Sequence, residues 1–270
     1  FNAKKELFKI AKFAVINIDD EFGKKIIESI NIPYFSYSTK DESADFFADE
    51  IKIKQDGVSF LMKYSDINVR MDFPIAGIYS VLNVLATTAT AIHLGISIET
   101  IKKTLEKFTG ISGRCEKIQA DLPFNVFCDY AHTPDGLLNI LKSVKQFTKG
   151  RLILLFGAGG DRDEKKRALM GKVASENADF LVVTSDNPRT ESQEKIIGQI
   201  IKGIDKKTEF IAIKSRTDAI KYALSIAKKG DTVLLAGKGH ELYNVFGDKK
   251  IYYDERKIVL AYSKKIEIEI

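Results

Sequence analysis

The chain has 270 residues, 44% of them hydrophobic, enough for one large domain or two ordinary ones with real cores. Lys+Arg of 42 against Asp+Glu of 37 leaves a net charge of +5 with the basic residues spread out, which argues against nucleic acid and leaves room for a small anionic ligand. Cys115 and Cys128 have neither metal-site spacing nor the number a disulfide framework needs, so a reducing cytoplasm is the expected home.

Residues 1–12 have helical spacing of apolar residues, followed by a strand at 13–18, a polar turn with Asn17, Asp19 and Asp20, and a helix at 24–30. Position 1 is Phe rather than Met, so a piece of a longer chain is expected. Residues 34–37 and 46–73 read as short strands, and the alternation in VSFLMKY and INVRMDF predicts an antiparallel hairpin edge. The uncharged stretch 76–95 approaches the length of a bilayer span. Ser80, Asn83, Thr87, Thr88, Thr90 and His93 make it too polar for one, so a buried helix is expected, and no membrane partner. An amphipathic helix at 97–108 then leads to a glycine-spaced connector, 108–114, where a domain boundary is placed.

From residue 116 onward strands and helices alternate. Strands are expected at 126–129, 152–156, 180–185, 209–213 and 232–236, with helices at 136–147, 165–177, 194–204 and 216–228 between them. Such alternation implies right-handed crossovers and a largely parallel sheet. A closing hairpin or strand is expected around 245–253.

In an open α/β sheet ligands sit beyond the carboxyl ends of the strands. Three strands there run into polar turns: LILLF into GAGGDR, FLVVTS into DNPR, and TVLLA into GKGHE. A parallel sheet would bring Arg162, Arg189 and Glu241 to one rim. Guanidinium forks match carboxylates and Glu241 suits an ammonium, so the set fits a zwitterionic amino-acid end. The glycine run 157–160 lacks GxGxxG spacing, which weakens a NAD-dependent oxidoreductase reading, and no Walker A sequence occurs in these residues.

In order, the segments FNAKKELF, AVINIDDEFG, GISGRCEKI, DYAHTPDGL, FGAGGDRDEKKR, TSDNPRTE and AGKGHELY resemble the Mur ligase family, and within it the branch that adds the third residue to UDP-N-acetylmuramoyl-L-alanyl-D-glutamate. The resemblance runs along essentially the whole chain. It implies an α/β fold: part of the central ATP-binding domain at 1–112, then a Rossmann-like, mostly parallel amino-acid-binding domain at 113–270. The UDP-sugar-binding domain and the phosphate loop of such a ligase would lie in a missing N-terminal part.

The activity implied is ATP-dependent amide formation with magnesium, in which phosphorylation activates the dipeptide carboxylate and the incoming amine displaces phosphate. Lys5 resembles the family's carbamylated lysine, whose added CO2 turns a cation into an anion able to support magnesium; Lys4 is the alternative if the register differs by one. Ser80 and Asn83 fall where the family has nucleotide-contacting asparagines, with Ser80 departing from that pattern. Arg114 resembles a phosphate-reaching arginine, and Asp129 and His132 a nucleotide-contacting pair, brought onto the nucleotide by hinge closure. Arg162, Asp186, Asn187, Arg189, Gly237 and Glu241 resemble the pocket for the incoming amino acid, and DNPR is the version linked to meso-diaminopimelate. Arg189 would pair with the distal carboxylate that lysine lacks; lanthionine remains an alternative diacid. Arg216 and Asp254 also fall in family-like contexts without an assigned role. A fragment of this kind is expected not to turn over alone, and a non-catalytic amino-acid-binding module is the other reading.

Overall fold

The computed structural model describes residues 1–269. Two compact units are present, Phe1–Thr109 and Gly110–Ile270, and their division falls within the glycine-spaced connector.

The first unit opens with a short helix α1 (Asn2–Lys5) and a 3-10 turn (Glu6–Lys9), neither of which buries a residue. The continuous helix expected over 1–12 is absent because Leu7 and Ile10, which should anchor it, are exposed. Then come β1 (Ala14–Asn17), α2 (Glu21–Ile27), β2 (Tyr34–Ser38), β3 (Phe46–Lys54), β4 (Gly57–Tyr64), β5 (Ile67–Phe73), α3 (Ile78–His93) and α4 (Ile98–Glu106). Helix α2 starts three residues before the expected position because the Asp20 side chain caps it, accepting from Phe22 N at 2.7 Å.

The five strands lie in sequence order, with β1, β2 and β3 parallel and β3, β4 and β5 antiparallel. Phe46, Phe60, Met62 and Met71 of the sheet meet Val81, Val84 and Leu85 of α3 and Ile101 of α4. Helix α3 is amphipathic rather than buried all round: Ser80, Val81, Val84, Leu85, Thr88 and Ala89 face inward, while Asn83 is exposed. Among the described residues no helix is long and apolar enough to cross a membrane.

The second unit contains β6 (Glu116–Lys117), β7 (Asn125–Asp129), α5 (Pro134–Lys145), β8 (Leu152–Phe156), α6 (Lys165–Asn177), β9 (Phe180–Thr184), α7 (Gln193–Ile201), β10 (Phe210–Ile213), α8 (Arg216–Ile226), β11 (Thr232–Ala236), β12 (Tyr243–Phe246), β13 (Lys249–Tyr252) and α9 (Glu255–Glu269). The main sheet has the order β10-β9-β8-β11-β7-β6, parallel except for β6. Strands β8 and β11 are buried at every residue, as uninterrupted apolar runs covered on both faces should be. On one face Val126, Ile153, Val182 and Leu235 pack with Ile220 and Leu224 of α8 and Val259 of α9. Side chains alternate along a strand, so Phe127 points to the opposite face, where its ring meets Phe147 just beyond α5 at 5.3 Å. The expected closing hairpin is the antiparallel pair β12–β13. Helix α9 has no counterpart in the sequence expectations.

Candidate amino-acid cleft and its surroundings

Because β9, β8 and β11 are adjacent and parallel, their carboxyl ends open at one edge of the sheet. A cleft of about 250 Å3 lies there, and its lining includes Arg162, Asp186, Asn187, Arg189, Gly237 and Glu241 together with His132. All six residues expected in the amino-acid pocket therefore converge, although they come from three separate loops.

The loop after β9 is fixed by its backbone. Gly160 N donates to Asn187 O at 2.9 Å, and a Cβ on Gly160 would fall 1.8 Å from Pro188 O, so the glycine run lets two loops touch. That close approach occupies the glycines that a dinucleotide reading would reserve for a pyrophosphate. Arg189, itself at φ +52°, donates from Nη1 to Gly160 O at 2.7 Å and from its backbone N to Val245 O at 3.1 Å. Its guanidinium is thus held by one nitrogen on the cleft wall, with the rest of the fork left to donate. Arg162 is exposed at the mouth.

Asp186, Asn187 and Glu241 form the acceptor side. Asp186 is buried at 7% exposure and its Oδ1 accepts from Asn187 N at 2.6 Å. Burial works against its charge, but Lys238 and Arg216 outweigh that and hold the carboxyl below its ordinary value. Gly237, at φ +116°, would place a Cβ 2.7 Å from Asp186 Oδ2. Asn187 Nδ2 donates to Glu241 Oε2 at 2.8 Å.

Several residues that shape the cleft were not foreseen. Lys238 has no exposed surface, and its Nζ reaches Asn187 Oδ1 at 3.1 Å and Tyr243 O at 2.8 Å. The only hint in the sequence is its position between two glycines, which signals a backbone running close to its neighbours. Arg167, 1% exposed, grips Glu191 with two nitrogens at 2.8 and 2.6 Å and also reaches Gly159 O at 3.1 Å. Glu191 in turn accepts from Asp161 N at 2.6 Å. This network ties the loop bearing Arg162 to the loop bearing Arg189.

Arg216 gains a place it lacked in the sequence. It is buried beneath the strand ends, paired to Glu255 Oε1 at 2.6 Å and donating to Ala236 O at 2.9 Å and Ser185 O at 3.4 Å. Ser185 and Ala236 immediately precede Asp186 and Gly237, so the clamp sets where both enter the cleft. Asp254 caps α9, its Oδ1 accepting from Arg256 N at 3.0 Å.

Beside the cleft, the Arg114 guanidinium lies 5.1 Å from the Tyr130 ring centre, and Tyr130 also contacts the rings of His132 and His240. His132 is exposed, and its Nδ1 is 2.8 Å from Tyr130 O, which makes Nδ1 the protonated nitrogen. Helix α5 is capped by Thr133, whose Oγ1 accepts from Gly136 N at 3.1 Å, so capping is not the role of His132. Asp129 is buried with both oxygens engaged, by Cys115 N at 2.7 Å and Ala131 N at 2.8 Å, and burial pushes its carboxyl above the ordinary value.

In the first unit, a second cleft at the carboxyl end of β1 is lined by Phe1, Lys4, Phe8, Asn17 and Asp20 among others. Lys4, not Lys5, belongs to that lining; Lys5 is half-buried on α1. Ser80 and Asn83 do not share an exposed face, because Ser80 is turned inward and donates to Ala76 O at 3.1 Å while Asn83 points to solvent. Three residues leave the two only about 60° apart around the helix, and the edge of the buried stripe of α3 falls between them.

Residues 1–91 match the Mur ligase middle domain, and residues 113–239 match the Mur ligase glutamate ligase domain. Taken with the two α/β units and the cleft, these matches place the chain in the Mur ligase family. Its similarity is to one branch in particular. It is 48% identical over 268 residues to the UDP-N-acetylmuramoyl-L-alanyl-D-glutamate--2,6-diaminopimelate ligase of Caldanaerobacter subterraneus subsp. tengcongensis, covering 97% of this chain and 55% of that protein. It is 43% identical over 268 residues to the corresponding ligase 1 of Clostridium acetobutylicum, covering 98% of this chain and 55% of that protein. A solved UDP-N-acetylmuramoyl-L-alanyl-D-glutamate--2,6-diaminopimelate ligase superimposes with a TM-score of 0.66 at 32% identity, over 98% of this chain and 56% of that one. The chain thus spans about half the length of the relatives it matches.

Proposed function

We propose that this chain supplies the middle and amino-acid-accepting parts of an ATP-dependent amide ligase that joins meso-diaminopimelate, or a diamino diacid of the same shape, to UDP-N-acetylmuramoyl-L-Ala-D-Glu in peptidoglycan precursor synthesis. The observation that carries this reading is the convergence of Arg162, Arg189, Asp186, Asn187, Gly237 and Glu241 on one cleft. Its lining carries both guanidinium donors and carboxylates. That is the complement of a zwitterion, and the second arginine suits a second carboxylate.

In this reading Arg189 holds the distal carboxylate, Asp186 and Glu241 take an ammonium, and the other amine is left free to attack. Arg162, at the mouth, steers the diacid. Holding the amine in place is the cleft's main contribution to rate.

Arg114, Tyr130 and His132 fit a phosphate-bearing nucleotide, since they set a free cation beside stacking rings. Asp129, with both oxygens committed to backbone N–H groups, supports the loop that carries Tyr130 and His132 from behind. When bound, ATP supplies the phosphoryl group that activates the dipeptide carboxylate, and magnesium screens its phosphates. Magnesium of this kind is held mainly through phosphates and water. A lysine carbamate would add one oxygen, and its position in the β1 cleft makes Lys4 the better donor than Lys5. Asn83, exposed on α3, is available to a nucleotide; Ser80 is not.

Crystals of the chain soaked with meso-diaminopimelate test this reading. Density for a carboxylate against Arg189 and an amine against Glu241 is expected; a diacid bound elsewhere, or none at all, counts against it.

A further inference from the structure

Lys238 is the least accessible lysine of the second unit's described residues and the one with the most demanding surroundings. Its ammonium has three protons and meets Tyr243 O at 2.8 Å, Asn187 Oδ1 at 3.1 Å, Asp186 Oδ1 at 3.4 Å and Glu241 Oε2 at 3.8 Å. A buried charge in this position costs too much to be kept as packing alone; an apolar side chain would fill the space at lower desolvation cost. What it does can be read from its partners.

The first consequence is orientation. Asn187 Oδ1 receives two donors, Lys238 Nζ and Val245 N at 2.9 Å. That fixes which end of the amide is oxygen, so Nδ2 must face Glu241 Oε2, which it meets at 2.8 Å. Lys238 therefore aims Glu241 without holding it closely.

The second consequence is charge. Two carboxylates, Asp186 and Glu241, face one buried ammonium; Arg216, the other buried cation nearby, is already paired with Glu255. Two negative charges and one positive leave a balance of one negative, which a single ligand ammonium neutralises. Without Lys238 the two carboxylates would repel one another, and one would take up a proton and lose its affinity for an amine.

We propose that Lys238 is a positioning residue that makes the cleft selective for the ammonium of its amino-acid ligand, by orienting Asn187 and Glu241 and by setting the acid pair to one net negative charge. This rests on the amino-acid-binding reading of the cleft. It assigns to Lys238 no contact with the reacting atoms.

The test compares meso-diaminopimelate with pimelate, the same diacid without either amine, by calorimetric titration of the wild-type chain and of Lys238→Met and Lys238→Gln. The wild type is expected to prefer the diamine by at least about tenfold, because an analogue lacking a bonded N–H leaves buried acceptors unpaired. In Lys238→Met the preference should fall below about threefold, mainly through weaker binding of the diamine, and Lys238→Gln, which keeps a donor but no charge, should fall between. A folded Lys238→Met that keeps the wild-type preference overturns the proposal, as does a wild type without preference. A wild type that binds neither diacid overturns the amino-acid reading itself. Should both variants fail to fold, the wild type still decides: with 15N-labelled lysine, the solvent-shielded Lys238 ammonium signal should shift with the diamine and not with pimelate. A signal that ignores both, or answers both equally, overturns the proposal.

Discussion

Replacing Arg216 with Met should be among the most damaging single changes to the second unit, and its size follows from burial. The Arg216 and Glu255 side chains are 2% and 1% exposed, and their contact is 2.6 Å. Burial alone would lower the arginine's pKa, but Glu255 and Asp186 raise it, so the guanidinium is firmly charged. Removing one partner of such a pair strands the other charge and costs about 3–5 kcal/mol. For a unit of this size that corresponds to a fall in melting temperature of roughly 6–20 °C. The double variant Arg216→Met, Glu255→Met removes the stranded charge and should recover part of the loss. It still forfeits the bonds to Ala236 O and Ser185 O, worth about 1 kcal/mol each. Scanning calorimetry of the wild type, both single variants and the double variant gives the coupling directly. A single variant costing less than about 1 kcal/mol, or a double variant as damaged as the sum of the singles, would refute the view that this pair clamps the ends of β9 and β11.

Three further outcomes are expected. Gly237→Ala should cost about 1–3 kcal/mol from its φ of +116° alone. Its Cβ would press Asp186 Oδ2 at 2.7 Å, so diacid binding in a titration should weaken by at least about tenfold; an unchanged affinity would remove Asp186 from the site. The Glu191 carboxyl is held at about 2, chiefly by its bonds from Arg167, against an ordinary value of 4.5. A depressed carboxylate stabilises the fold above its ordinary pKa and loses that contribution as pH falls through the folded value. The stability gap between wild type and Glu191→Gln in urea should therefore be largest at neutral pH and close between 4.5 and about 2; a gap that widens with acid would be the wrong sign. With 13C-bicarbonate, a lysine carbamate signal should vanish in Lys4→Ala and persist in Lys5→Ala, and the opposite result would restore Lys5 to the role.

The parallel sheet was legible because its strands are apolar runs separated by helices, and the cleft because three such runs end in charged loops. Burial was less legible. Lys238 sits in a loop that looks solvated, and only the docking of the β12–β13 hairpin, through Tyr243 O and Val245 N, closes over it. Arg167 reads as one more charge in an exposed helix, yet it turns inward to meet Glu191 from a loop 24 residues away. Spacing suggested a shared face for Ser80 and Asn83, but the packing of α3 on its sheet decides which of the two looks outward. At the N-terminus the helical spacing yields only the short α1 and a 3-10 turn, and Leu7 and Ile10 stay exposed. Helix α9 escaped because its capping Asp254 comes only two residues after β13 and its apolar residues are interleaved with charges.

Calorimetric titration with meso-diaminopimelate and L-lysine decides whether the cleft recognises both ends of a diamino diacid. The wild-type chain should bind the diacid and prefer it to lysine. Arg189→Ala should lose about 10- to 100-fold for the diacid, as expected when a charge-assisted pair is removed, with little change for lysine. No binding of the diacid, equal binding of the two amino acids, or an Arg189→Ala variant that binds as the wild type does would contradict the account.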